Sequence, residues 1–558
     1  MSAPQANTNH ATPGSPNTGQ PGAKATSKEW IGLLVLTLPC LLIAMDMTVL
    51  HLAVPHLTAS LNPTSDQLLW IVDIYGFFIA GSLITMGTLG DRIGRRKLLM
   101  IGGGCFGAAS VLAAFSDTPE MLIFARGVLG VAGATLMPST LSLIRNMFHN
   151  DKERSFAIAA WMTTFMVGTA AGPLLGGVVL SYFWWGAVFL LNVPVMALLL
   201  LVAPILLPEH KAERFGRLDL FSAALSLCSV LAIIYGVKVF AAYGFGVDAL
   251  AALVLGLLGA WVFFRRQRKL ADPLLDLDLL KQKTIALPIV IQTAVIFAGM
   301  AYFMFLSQAL QLVIGLTPIQ AGLSMLPATL AGIVGSMGAP VLMGRYKPGQ
   351  VMTAALILTG IGFGMLSWPG SVVSLYILIA GATIFSLGIT PVAMICTDMV
   401  VASAPADRAG SAAAMSETSA ELGGALGIAV LGSVGTAIYR DVMVNAVPSG
   451  IDATAAEAIR STLGGAVNAL TNLPLALSSD ILPIARAAFT DGLQVISLIC
   501  TILMVLSAIG TLIALRDARC ETSDANDTSD SNDDDGANGD AVIDPTLKQA
   551  VSATGTVK

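Results

Sequence analysis

Fourteen mostly apolar runs alternate with short polar stretches along this chain. They fall at about 31–52, 69–89, 98–116, 121–145, 156–181, 186–207, 218–240, 246–264, 285–313, 319–343, 351–368, 371–396, 409–438 and 491–515. Each approaches the roughly 20 residues that a helix needs to cross about 30 Å of hydrocarbon. The pattern predicts an all-α integral membrane protein with 14 transmembrane helices. Gly and Pro interrupt several runs, which membrane helices tolerate where neighbouring helices re-satisfy the backbone.

The polar stretches between the runs fix an orientation, because cytoplasmic loops are enriched in Lys and Arg. With the N-terminus inside, the inner loops hold Arg92, Arg95, Arg96 and Lys97, then Arg145, Lys152 and Arg154, then Lys211, Arg214 and Arg217. Next come Arg265, Arg266, Arg268, Lys269, Lys281 and Lys283, followed by Arg345 and Lys347. The short loops on the other side hold almost none. Both termini are then cytoplasmic, as an even number of spans requires.

Three polar regions stand apart. Residues 1–29 read as a disordered cytoplasmic leader, rich in Asn, Thr, Pro and Gly. They lack the charged-then-apolar layout of a cleavable signal. Residues 440–490 form a long external segment with Ala-rich stretches, Ala453–Leu463 and Ile481–Phe489. Two readings stay open for it: a solvated connector, or a short helical hairpin over the outer vestibule. Residues 516–558 form an acidic, disordered cytoplasmic tail whose Asp spacing does not suit a calcium loop.

Composition agrees with the pattern. The chain has 558 residues, of which 55% are hydrophobic and only 12% charged, against about 25% charged in a soluble domain. The net charge of −5 comes from the tail, where ten acids face four bases. The remainder is almost neutral, and no basic patch interleaved with aromatics suggests nucleic-acid binding. The six cysteines (Cys40, Cys105, Cys228, Cys396, Cys500, Cys520) show no short pairing and read as small core residues, not as a disulfide framework or metal site.

Against this apolar background, Asp46, Asp73, Arg126, Glu417 and Glu421 fall inside the runs. A charge at a helix centre costs about 2.5–3.5 kcal/mol on insertion scales, so such groups usually line a cavity, a proton path or a cation site. Counting along the spans puts Asp46, Asp73 and Arg126 at similar depth, where pairing would offset the cost of burying each. A purely structural ion pair is the plainer alternative. Glu417 and Glu421 are four apart and share one helix face. They lie about 12–18 Å along span 13 at 1.5 Å per residue, near the midplane. Two close carboxylates in low dielectric cannot both ionise cheaply, so the pair is expected to hold an exchangeable proton. A lipophilic cation would add aromatic faces to carboxylate charge. Trp70, Tyr75, Trp161, Phe165 and Tyr302 are the candidate faces, each of which could also be ordinary packing.

Several motifs carry a family resemblance. Gly87-Thr-Leu-Gly90-Asp91-Arg92-Ile-Gly94-Arg95-Arg96-Lys97 resembles the signature loop of the major facilitator superfamily. Gly permits close backbone approach there, and Asp91 can sit against a helix N-terminus. Arg126-Gly-Val-Leu-Gly130-Val-Ala-Gly133 is similar to that family's buried-Arg motif, with Leu129 where a Gln is frequent. Gly168, Gly172, Pro173, Gly176 and Gly177 resemble its antiporter motif. Glycines four apart leave one helix face bare for close packing. Asp46 to Pro55 resembles the first span of the 14-helix drug:proton antiporters. Trp70-Ile-Val-Asp73-Ile-Tyr75 and Glu417-x3-Glu421 resemble the branch that exports quaternary ammonium compounds. An acid that some members carry in span 10 is replaced by Gly332, Gly335 and Ser336.

The resemblance implies a major facilitator fold, two six-helix bundles plus two inserted helices. The bundles would occupy 30–209 and 271–515, with the inserted pair at 210–270. It further implies a monomer in the bacterial inner (plasma) membrane that exports hydrophobic cations in exchange for protons. Asp46, Arg126, Glu417 and Glu421 would couple protons. Asp46, Asp73, Glu417, Glu421 and the five aromatics would hold substrate. A phosphate-binding loop of the G-x4-G-K-[S/T] type is missing, so no ATP site or other cofactor is expected. No HExxH motif is present and the five histidines do not cluster on the spans, which argues against an enzyme. Export of another amphipathic metabolite, lipid or neutral drug is the alternative. A non-transporting membrane sensor is the remote one, since no sizeable soluble domain accompanies the spans.

Overall fold

The structure is a computed structural model. It describes residues 24–514, apart from 64, 210–218, 244–245, 271–272, 276, 278, 368–373, 406–407, 449–450 and 472. Most of the N-terminal leader and the whole acidic tail lie outside the described residues, as do a few helical side chains, Asp73 and Pro173 among them.

The described residues form eighteen α-helices. The first seven are α1 Ser27–Leu61, α2 Ser65–Ile93, α3 Arg95–Ala114, α4 Pro119–Met147, α5 Asp151–Tyr182, α6 Ala187–Leu190 and α7 Asn192–Leu206. Then come α8 Leu220–Tyr243 and α9 Val247–Gln267. The rest are α10 Lys283–Gln308, α11 Pro318–Ser324, α12 Leu326–Met343, α13 Pro348–Gly364, α14 Leu375–Ser403, α15 Ala409–Ala446, α16 Ala453–Ser461, α17 Leu463–Leu470 and α18 Leu475–Ala514. Among the described residues, twelve helical stretches are long and apolar enough to cross a membrane, and Phe221–Val237 and Pro348–Gly364 are shorter apolar helices. These fall one for one on the fourteen apolar runs.

Helix starts follow local chemistry. Thr118 caps α4 by accepting from the Met121 amide at 3.2 Å, with Pro119 in the first turn. Asn150 caps α5 by accepting from the Lys152 and Glu153 amides. Such caps satisfy amides that a helix start leaves open, and Pro in the first turn has no amide to waste.

The helices pair in a pattern that occurs twice. In the first half α1 packs on α5, α2 on α4, and α3 on α4 and α7. In the second half α10 packs on α15, α12 on α14, and α13 on α14 and α18. The same order of partners in both halves is the mark of a duplicated six-helix bundle. The helices α8 and α9 pack on each other, and α8 leans on both α2 and α15. The bundles meet along a seam of α2 and α4 with α15, and of α5 with α12.

One expectation changes in extent. Residues 440–446 continue α15 and 475–490 belong to α18, so the stretch between these helices shrinks to 447–474. The Ala-rich residues 481–489 are the start of a membrane-crossing helix, because they run without a break into its apolar part. What remains folds as α16 and α17. Ile459, Leu463, Ala466 and Leu470 are buried, and the Tyr439 hydroxyl donates to the Ile459 carbonyl at 2.9 Å.

Candidate functional site

The first bundle encloses an ion pair. Arg126 Nη1 on α4 donates to Asp46 Oδ2 on α1 at 2.5 Å. Its Nε donates to the Ile71 carbonyl at 3.2 Å, and Nη2 to the Val72 carbonyl at 3.4 Å, both on α2. The guanidinium also lies 4.5 Å from the centre of the Tyr75 ring. Asp46 and Arg126 are only 2% and 1% exposed. Each group lowers the cost of burying the other. Asp46 Oδ1 is buried and has no hydrogen-bond partner among the described residues. Asp46 is thus one member of a buried ion pair.

The second bundle brings an acid to the same region. Glu417 on α15 is buried. It lies within electrostatic reach of Glu421 one turn on, and of the Cys40 thiol on α1. Tyr75 lies within reach of Asp46, Arg126 and Glu421 together. Beside Glu417, the Ser416 hydroxyl donates to Gln292 Oε1 on α10 at 2.8 Å. Residues from α1, α2, α4, α10 and α15 therefore meet at the seam. Such a centre can bind a proton or a cation, and its charge state bears on both bundles.

The aromatic candidates divide. Tyr75 is at the centre, its face taken by Arg126. Phe165 is half-buried on α5. Three others are elsewhere. Trp161 is buried between α1, α4 and α5, with its indole N–H donating to Thr140 Oγ1 at 3.1 Å. Tyr302 is fully buried against Phe363 and Phe385, with ring centres 4.8 and 5.1 Å away. Trp70 stacks on Tyr235 of α8 at 6.1 Å. Each of these three rings packs against a neighbouring helix, Trp70 while still 39% exposed. The side chain of Asp73 lies outside the described residues.

The glycine motifs are contact surfaces. A Cβ on Gly168 would come within 2.5 Å of the Leu41 carbonyl, and one on Gly172 within 3.0 Å of the Met45 carbonyl, while Gly176 faces Val49. The motif face is thus the α1–α5 contact. Gly87 meets Gly410 and Ala414 at the start of α15 in the same manner.

The signature loop joins the bundles at the end where the basic loops cluster. Asp91 Oδ2 accepts from the Ser411 amide at 3.1 Å, in the first turn of α15. A carboxylate there satisfies an open amide and complements the helix dipole. Asp91 also pairs with Arg95, one turn along. Gly94 has φ +110°, a conformation that strains other residues, and Glu209 lies where a Cβ would point. Arg96 donates to the Pro204 and Leu207 carbonyls and pairs with Glu209 at 3.5 Å. Arg92 and Gly90 are buried in the same turn.

Sequence reading missed Asp398, near the end of α14. It accepts from Ser155 Oγ at 2.6 Å and from Arg154 Nε at 3.4 Å, both on α5. Arg145 of α4 donates to the Val401 and Ala402 carbonyls at 3.3 Å each. The signal was available: Met399-Val-Val-Ala402 continues the apolar run beyond the acid.

Two duplicated helical bundles with charge buried at their seam define a multi-pass membrane protein of transporter type. The chain belongs to the Major Facilitator Superfamily, which it matches over residues 37–428. It is 39% identical over 503 residues to the multidrug efflux pump LfrA of Mycolicibacterium smegmatis, spanning 90% of this chain and 99% of that one. It is 31% identical over 494 residues to the methyl viologen resistance protein SmvA of Salmonella typhimurium, covering 88% and 99% of the two chains. The tetracenomycin C resistance and export protein of Streptomyces glaucescens is 30% identical over 422 residues, 74% of this chain and 77% of that one. Among solved structures, the human organic anion transporter MFSD10 (TETRAN) aligns with a TM-score of 0.53 at 15% identity, over 86% of this chain and 98% of that one. That likeness concerns the fold alone.

Proposed function

We propose that this protein exports hydrophobic cations, such as quaternary ammonium compounds, cationic dyes and antiseptics, in exchange for protons. In this reading it is a monomer of the bacterial inner (plasma) membrane with both termini cytoplasmic. The end with the basic loops is then the inner end. The inserted pair α8–α9 supports reading it as a 14-helix drug:proton antiporter.

The observation that carries the reading is Glu417, buried at the seam beside Glu421, with Tyr75 in reach of both Glu421 and the Asp46–Arg126 pair. A carboxylate taken out of water is stabilised by a proton or by an organic cation, and one replaces the other. Asp46 Oδ1 offers a second protonation point, and a proton there would weaken the hold on Arg126. The ties at the inner end hold the seam together on that side, as one state of an alternating-access cycle requires. The named relatives support drug efflux, and methyl viologen is itself a flat aromatic dication.

A second reading, export of another amphipathic metabolite, lipid or neutral drug, draws on the relative named for tetracenomycin C. One experiment separates the two. Reconstituted protein is given a proton gradient, acidic on the outer face, and a fluorescent cation or a neutral analogue of the same shape. Gradient-driven movement of the cation that Glu417→Gln removes is the expected result. Cation flux indifferent to the gradient, or equal transport of the neutral analogue, overturns cation–proton exchange.

A further inference from the structure

Described residues between α9 and α10 are built into the seam. Leu274, Leu275 and Leu279 are 1%, 4% and 4% exposed. They share one apolar cluster with Phe263 of α9, Ile285 of α10, Val400 of α14, and Ala412 and Met415 of α15. Polar ties hold the same short segment in place. Gln267, buried at the end of α9, accepts through Oε1 from the Leu274 amide at 2.7 Å and from the Leu275 amide at 3.4 Å. The Leu274 carbonyl accepts from Thr88 Oγ1 on α2 at 2.8 Å and from Ser411 Oγ on α15 at 3.5 Å. One residue of the connector is therefore bonded at once to the first bundle, the second bundle and the inserted pair.

We infer that the Leu274 backbone is a wedge that closes the seam at the basic end, and that Gln267 is the residue that positions it. The inference rests on the alternating-access part of the reading above, and is independent of what is carried. When α2 and α15 part at this end, the Leu274 carbonyl cannot keep donors from both. The cost of losing either donor favours the closed seam. Gln267 hands that preference to the inserted helices, because the connector leaves α9 at that residue. The helices α8 and α9 are on this account part of the gate, beyond filling space beside the bundles.

The test measures the separation of the bundles in the full-length protein in lipid. Spin labels are placed on Lys97 of the first bundle and Lys347 of the second, both exposed at the basic end. Cys105, Cys228 and Cys520 are replaced by Ser. Gln267→Ala removes the acceptor for two buried amides and should raise the separated population about tenfold. Thr88→Val removes the α2 donor to the Leu274 carbonyl and leaves the Gln267 ties intact. It should shift the population in the same direction, and it covers the case in which Gln267→Ala folds poorly. Asp398→Asn breaks a separate tie between the bundles and serves as the reference. Separation in Asp398→Asn without change in Gln267→Ala and Thr88→Val overturns the wedge and leaves alternating access standing. A single distance in every variant overturns both.

Discussion

Arg154 of α5 and Asp398 of α14 face each other at 3.4 Å across the seam, both buried. Ser155 adds a hydrogen bond to the same carboxylate. Nearby, Arg145 holds the last carbonyls of α14 and Asp91 holds the first turn of α15. The corner between these helices is thus gripped on both sides by charges of the sign that each helix end favours. Asp398→Asn should loosen this corner. Arg154 keeps its bond to Asp151 at 2.7 Å, so the loss should be moderate, about 1–3 kcal/mol for a hydrogen-bonded charge. Faster hydrogen exchange at the amides ending α14 and starting α15, with the rest of α14 unchanged, would register it.

The Asp46–Arg126 pair makes a prediction about stability. Arg126→Gln leaves the Asp46 carboxylate buried and alone, which should cost about 3–5 kcal/mol. Asp46→Asn with Arg126→Gln removes both charges and should recover most of that loss. Thermal unfolding in detergent measures the cycle. Losses that simply add across Asp46→Asn, Arg126→Gln and the double variant would mean that the two side chains do not interact.

The glycine face of α5 predicts a contrast within ten residues. Gly172→Ala would drive a methyl group into the backbone and Thr48 of α1, and Gly168→Ala into Leu41 and Ala44. Overpacking of this kind costs about 1–3 kcal/mol. Nothing lies within 4 Å of a Cβ on Gly177, and Ala is about 1 kcal/mol better than Gly inside a helix. Folded yield and efflux should fall in Gly168→Ala and Gly172→Ala and hold in Gly177→Ala.

Asp219, just before α8, bears on pH. It accepts from Arg266 at 2.8 Å and from the Phe221 and Ser222 amides. The Arg266 hydrogen bond, with smaller help from Ser222, lowers its pKa from 3.8 to about 2. A lowered folded-state pKa gives stability that is complete above the unfolded value of 3.8 and drains away as pH falls toward 2. The α8–α9 tie is therefore constant between pH 5 and 8. Transport that varies with pH in that window draws on groups other than Asp219. Asp219→Asn should leave the pH profile of efflux unshifted, while Glu417→Gln should flatten it.

Much of the site could be read from residue order. The Gly-Asp-Arg-x-Gly pattern makes physical sense once Asp91 meets the Ser411 amide and Gly94 turns at φ +110°. Asp46 and Arg126 were expected at one depth because span direction and length set depth, and their side chains meet. The aromatics were less legible. A span that is apolar on every side gives no sign of which face looks inward, so Trp70, Trp161 and Tyr302 could be placed by depth but not by direction. Asp398 was missed because it follows the nominal end of an apolar run by two residues.

The sequence by itself determined the membrane class, the positions of the fourteen apolar helices and the charges that would need company in hydrocarbon, since each depends only on local hydrophobicity and the cost of burying charge. Tertiary structure alone decided which partner each charge took, which rings reached the acid centre, and that Leu274 is bonded to both bundles. Those outcomes depend on helix rotation and on contacts between segments more than a hundred residues apart, such as Thr88 with Leu274 and Ser155 with Asp398. Hydrophobic periodicity along a single chain carries no record of either.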